Sequence, residues 1–252
     1  MDNCTYRNYN IAFVHLFLCF LAIAAFHCAG QVAPSGGPKD TIPPKIVETY
    51  PVTKAIGFHD NVIQLTFDKW MDKSSVNESI FLSPNLGDLD FDWSGKEINI
   101  KFTDTLRENT TYVLTLGTDA RDLRAGNKLA ESYSLAFSTG DHIDSASLSG
   151  KIFDEKPEGI MIFAYQLDQR NADTLNPERC KPDYLTQTGK DGKFFLPFLR
   201  IGTYRVFAVR DEYKNLLYDP ETDEYGVPQA EFQLTPSAAA TTSSSPLDQA
   251  RR

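Results

Sequence analysis

Between Ile46 and Phe137 apolar side chains recur at every second position in a series of short runs. Ile63, Leu65 and Phe67 alternate with Gln64 and Thr66, and Leu89, Phe91 and Trp93 alternate with Asp90 and Asp92. The same period returns in Ile98, Ile100, Phe102, in Tyr112, Leu114, Leu116 and in Tyr133, Leu135, Phe137. A period of two sends alternate side chains to opposite faces of an extended chain, so each run predicts a half-buried strand. Ser94-Gly95 predicts a tight hairpin between two of them. About seven short antiparallel strands over roughly 100 residues predict a two-sheet sandwich, because each sheet has one apolar face to cover.

The pattern continues from about Ser147 to Leu234, where strands are predicted over Leu148 to Phe153, Gly159 to Leu167, Tyr184 to Thr188, Lys193 to Leu199 and Thr203 to Arg210. Gly189-Lys190-Asp191-Gly192 is a turn leading into the aromatic strand Lys193 to Leu196, and Ile201-Gly202-Thr203-Tyr204 repeats the device one strand later. No long helical stripe interrupts either unit, and the fold class is all-β, two consecutive sandwiches.

The chain opens differently. Ile11 to Phe26 is apolar except at His15, follows a polar stretch with Arg7, and reads as an export signal. It is shorter than the roughly 20 residues of a membrane span. Pro34, Pro38, Pro43 and Pro44 with Gly30, Gly36 and Gly37 read as an extended tether. Residues 235–252, of Ala, Ser, Thr and Pro before Arg251-Arg252, read as a disordered tail. The resulting organisation is signal 1–27, tether 28–39, first sandwich 40–140, second sandwich 147–234 and tail 235–252.

Composition removes several functions. With 25 Lys+Arg against 34 Asp+Glu, a net charge of −9 and no basic block, the chain has no electrostatic source for nucleic acid. Ser35-Gly36-Gly37-Pro38 precedes neither Lys-Ser/Thr nor a helix, so nucleotide binding gets no support. Cys4, Cys19, Cys28 and Cys180 form no C-x-x-C pair. After Cys28 the histidines are His59 and His142, far apart in sequence and without a nucleophile elbow, so no enzyme, catalytic residue or cofactor is expected. Asp88, Asp90 and Asp92 share one strand face, which reads as solvated. Asp211, Asn215, Asp219, Glu221, Asp223 and Glu224 form an acidic loop without EF-hand spacing; of these Asp211, Asn215, Asp219 and Asp223 are the candidate calcium ligands. Trp70, Tyr50 and Tyr213 could stack on sugar rings, although most aromatics fall at inward strand positions.

Four resemblances extend this reading. Leu21 to Cys28 resembles the end of a bacterial lipoprotein signal, with His27 where that family usually has Gly, Ala or Ser. The resemblance implies that the Cys28 thiol is acylated and holds the chain at a membrane, the outer membrane of a bacterial cell envelope, on its periplasmic or its surface face. The other reading is an exported protein in which Cys28 pairs with Cys180. Asp40 to Val47, Ile63 to Asp72, Leu106 with Asn109 to Val113, Asp122 with Gly126-Asn127 and Leu129, and Leu135 to Gly140 resemble, in order, the bacterial Ig-like domain of the S-layer type, also called the SbsA Ig-like domain. Trp70 departs from it, standing where that family more often has a small residue or proline. Ser149 to Ile152 with the two glycine turns resembles the carboxypeptidase-regulatory, transthyretin-like sandwich. Thr41, Thr105, Ser145 and Thr174 each sit in an Asp-Ser/Thr-apolar triplet that resembles the O-glycosylation sequon of some bacterial envelope proteins. Together these imply a non-enzymatic, lipid-anchored protein whose partner is an envelope protein or polysaccharide, with a soluble periplasmic carbohydrate-binding module and an accessory subunit of an envelope enzyme or secretion assembly as alternatives.

Overall fold

The computed structural model describes His15, residues 37–168, 170, 172–235 and 248–249. The signal stretch apart from His15, Cys28 and most of the tail lie outside the described residues. The chain from Asp40 onward forms one unit.

Its first half is a seven-stranded sandwich. One sheet has the order β1 (Ile46–Tyr50), β2 (Val62–Phe67), β5 (Glu97–Phe102), β4 (Leu89–Ser94), and the other has β3 (Ile80–Ser83), β6 (Thr111–Leu116), β7 (Tyr133–Ser138). The pairings between these strands are antiparallel, with one parallel bridge from Ala55 to Phe137 of β7. The alternating residues point inward as their period requires: Ile63, Leu65 and Phe67 of β2 meet Tyr112, Leu114, Leu116, Leu135 and Phe137 across the core. Each such side chain contributes about 1.5–3 kcal/mol by leaving water. The β4–β5 hairpin pairs Ser94 with Glu97, and Gly95 takes φ 65 in the turn, where a side chain would be strained.

One local feature departs from the sequence reading. A six-residue helix, α1 (Lys73–Glu78), stands where the pattern announces no element; Asp72 caps it by accepting the Ser75 N–H. Pro44 is buried and Asp40 is held by Lys69, so the chain from Asp40 on is tied to the sandwich.

The second half pairs β10 (Tyr184–Gln187), β9 (Met161–Gln166), β12 (Gly202–Arg210) and β13 (Glu224–Val227) in one sheet, with β14 (Phe232–Leu234) along the start of β12. β8 (Ala146–Lys151) and β11 (Lys193–Leu199) form the sheet opposite. All five strands expected from the pattern form; β13 and β14, short and half polar, carry no alternation that announces them. In the tail, Asp248–Gln249 (β15) pairs with β13.

The halves share apolar surface. Every residue of β6 is buried, because Tyr112, Leu114 and Leu116 face the first core while Val113, with Ala136 of β7, enters the core of the second sandwich. β9 is likewise covered on both faces: Ile162 and Ala164 join that second core, and Met161, Phe163 and Tyr165 pack with Phe81, Leu175, Leu216 and Tyr218 on the other side. A strand buried on both faces reads as a continuous apolar run, and Met-Ile-Phe-Ala-Tyr is such a run.

Candidate functional site

The junction between the sandwiches has a polar centre built around Gln187, the last residue of β10, which lies against β3 and β6. Gln187 Nε2 donates to Asp119 Oδ2 (3.1 Å) and to the Gly159 carbonyl (3.4 Å), and its Oε1 accepts the Asp119 N–H (3.2 Å). Its backbone is clasped as well: Ser132 Oγ donates to the Gln187 carbonyl (2.9 Å) and accepts the Gln187 N–H (3.2 Å). Beside it the Thr118 hydroxyl donates to the Thr188 carbonyl at 3.1 Å, with both threonines fully buried. Gly117 makes the approach feasible, since a Cβ there would stand 2.1 Å from Gln187 Oε1. Buried polar groups satisfied this completely fix one arrangement of the parts that carry them.

Next to this seam opens a cleft of about 340 Å³ lined by Ser74, Ser75, Glu78, Asp119, Arg121, Lys128 and Lys214. Each cation in its wall already faces a carboxylate: Lys128 meets Asp119 (2.9 Å), Arg121 meets Asp72 (2.8 Å) and Lys214 of the second sandwich meets Glu78 of the first (3.0 Å). Burial raises the cost of charge on Asp119, but Lys128 and Gln187 more than offset it and hold its carboxyl below the usual carboxylate range. Glu78 is held low mainly by Lys214. Ionised acids locked to cations are poorly poised to move protons at neutral pH, and of these pairs Lys214–Glu78 alone spans the two sandwiches.

The residues singled out by sequence fall in separate places. Cys28 lies outside the described residues, and Cys180 is an exposed free thiol whose carbonyl accepts the Tyr165 hydroxyl. His59 is exposed in irregular chain before β2, and His142, also exposed, faces Asp141 at 3.0 Å; neither lines the cleft. Asp88, Asp90 and Asp92 are exposed, the last two on edge strand β4 with Lys101 and Asn99 opposite them. Thr41, Thr105, Ser145 and Thr174 are all exposed. Register puts Tyr50 at the end of the β1–β2 pair opposite Trp70, and Tyr213 belongs to the second sandwich, so the three aromatics are not brought to one groove.

The acidic loop uses its oxygens on itself. Asp211 accepts the N–H groups of Asn215 (3.2 Å) and Leu216 (2.8 Å), and Asp223 accepts those of Glu212 (3.2 Å) and Asp219 (2.9 Å). Asn215 Nδ2 donates to Asp219 Oδ2 at 2.8 Å. Burial raises the Asp211 carboxyl above its ordinary range, opposed by those N–H groups and helped by Asp223. Among the described residues no three acidic, histidine or cysteine side chains gather as a metal site. The seam itself is not legible in sequence: Gln187 and Asp119 are 68 residues apart, and neither belongs to a motif.

Residues 40–139 match the family model described as the bacterial Ig-like domain. A search of curated proteins finds no match. Among solved structures, L,D-transpeptidase LdtMt1 in complex with imipenem aligns at 15% identity over 50% of this chain and 61% of its own, with a TM-score of 0.30. The N-terminal part of the bacterial S-layer protein SbsC aligns at 15% identity over 75% and 42%, TM-score 0.28. An L,D-transpeptidase from Mycobacterium smegmatis aligns at 13% identity over 66% and 76%, TM-score 0.30. The chain thus spans less than two thirds of the length of the first two. Likeness at this level carries no argument about function.

Proposed function

We propose that this chain, with a bacterial Ig-like domain at residues 40–139, is a non-enzymatic protein of the bacterial cell envelope, held at the outer membrane by lipid on Cys28. In this reading the Ig-like domain and a second, carboxypeptidase-regulatory-like sandwich act as one stiff spacer that carries its end loops away from the membrane for contact with an envelope protein or polysaccharide. The observation that carries the spacer role is the seam: Gln187, 6% exposed, bonds across the junction at Asp119 while Val113 and Ala136 of one sandwich enter the core of the other. Independent modules on a linker would keep that surface polar and solvated. The anchoring half of the proposal is supported by the apolar run Ile11 to Phe26 immediately before Cys28. Two or more acyl chains, at about 0.8 kcal/mol per buried CH₂, suffice for stable attachment without a spanning helix.

Membrane fractionation of cells expressing the wild type and Cys28→Ala tests the anchor. The expected result is wild type in the membrane fraction and the variant released into the soluble fraction. An unchanged distribution would overturn it.

A further inference from the structure

The chain that follows Cys28 becomes fixed at a particular corner of the Ig-like domain. Asp40, twelve residues after Cys28, receives Lys69 Nζ on Oδ2 (2.7 Å) and Asn127 Nδ2 on its carbonyl (3.2 Å). The Ile42 carbonyl accepts from the same two side chains. The segments bearing Lys69 and Asn127 are themselves joined, since the Leu123 N–H donates to the Trp70 carbonyl (2.8 Å) and Met71 bridges to Asp122. Asp122 closes the tip, its carboxylate accepting the N–H groups of Arg124, Ala125 and Asn127.

Three stitched segments therefore each present one large apolar residue to solvent: Ile42 is 63% exposed, Trp70 48% and Leu123 63%. Beside them Arg124 is an exposed cation, while the nearby acids are occupied, Asp40 by Lys69, Asp72 by Arg121 and Asp122 by backbone N–H groups. Exposed Trp, Ile and Leu on three joined segments beside the available Arg124 suit the interfacial zone of a bilayer, where the indole prefers to sit and Arg meets phosphate. Twelve residues extend to at most about 40 Å, so a lipid on Cys28 would hold this corner at high effective concentration above the bilayer and let a weak contact persist.

We infer that this corner of the Ig-like domain rests on the membrane surface, with Ile42, Trp70 and Leu123 among the lipid headgroups and Arg124 against lipid phosphates. The inference rests on the proposed lipid at Cys28 and adds that the spacer is seated at its base rather than swinging on a free tether.

The test uses the full chain purified from membranes and reconstituted into phosphatidylcholine–phosphatidylglycerol vesicles with or without brominated acyl chains. In a Trp93→Phe background only Trp70 emits, because the chain has 2 Trp. Expected is strong quenching of Trp70 by the brominated lipid, largely lost in an Ile42→Ser/Leu123→Ser variant that still floats with the vesicles and melts like its parent. Flotation with Trp70 unquenched would overturn the seating while leaving the anchor intact, as would crosslinks from this corner to a second copy of the chain. Failure of the wild type to float would remove the anchor and the seating together.

Discussion

Replacing Gln187 by Ala deletes the centre of the seam and leaves the Asp119 N–H and the Gly159 carbonyl without their side-chain partner. A net intramolecular hydrogen bond is worth about 0.5–1.5 kcal/mol and a buried polar group left unpaired costs about 1–3 kcal/mol, so the loss should be about 3 kcal/mol. For a domain pair of this size that corresponds to a fall of about 6–12 °C in the melting midpoint. Calorimetry of the full chain, with exposed Gln233→Ala as control, reads it directly. Gly117→Ala should reproduce most of the effect, because its Cβ would displace Gln187 Oε1, 2.1 Å away. Once Gln187 is Ala the clash is gone, so the double variant should be little worse than the single, a strongly non-additive cycle. A Gln187→Ala midpoint matching the control, or two effects that simply add, would refute the seam as the joint between the sandwiches.

Asp119 is held below its unfolded value of 3.8, so its stabilising contribution is present above that pH and is lost as pH falls through the lower folded value. Acid unfolding followed by circular dichroism should therefore be steeper below about pH 4 for wild type than for Asp119→Asn. Ala136→Leu inserts bulk where the two cores meet and should cost about 1–3 kcal/mol in denaturant titration. Gly192 has φ 77 and a Cβ there would lie 2.3 Å from the Ile152 carbonyl, so Gly192→Ala should lower the midpoint more than Gly37→Ala, which meets open space. Because the loop carboxylates already hold their own backbone, millimolar calcium should leave the melting curve unmoved; a clear rise would make Asp211, Asp219 and Asp223 ligands after all.

Strands were the most legible part of this chain, for a physical reason. Ile63-Gln64-Leu65-Thr66-Phe67 can bury its apolar set in only one register of an extended chain, and β2 does so. Helix α1 hid because six residues are too few for a helical stripe, although Asp72 followed by Ser74 and Ser75 is the kind of cap that starts one. The seam hid more deeply. Val113 and Ala136 occupy positions that alternation assigns to the outer face, and their small apolar side chains were the available sign that this face is covered. Gln187 gave none, since a glutamine at a strand end reads as solvated until the fold sets Gly117 against it. The acidic loop was legible as a polar loop but not in its bonding: its carboxylates accept backbone N–H groups, which composition does not reveal.

The most direct measurement of the whole account is the intact mass and N-terminal sequence of the protein isolated from its native envelope. The account predicts a mature chain beginning at Cys28 with a diacylglyceryl thioether on its sulfur and a free thiol at Cys180. A fatty-acid-free chain in which Cys28 is bonded to Cys180 would contradict it.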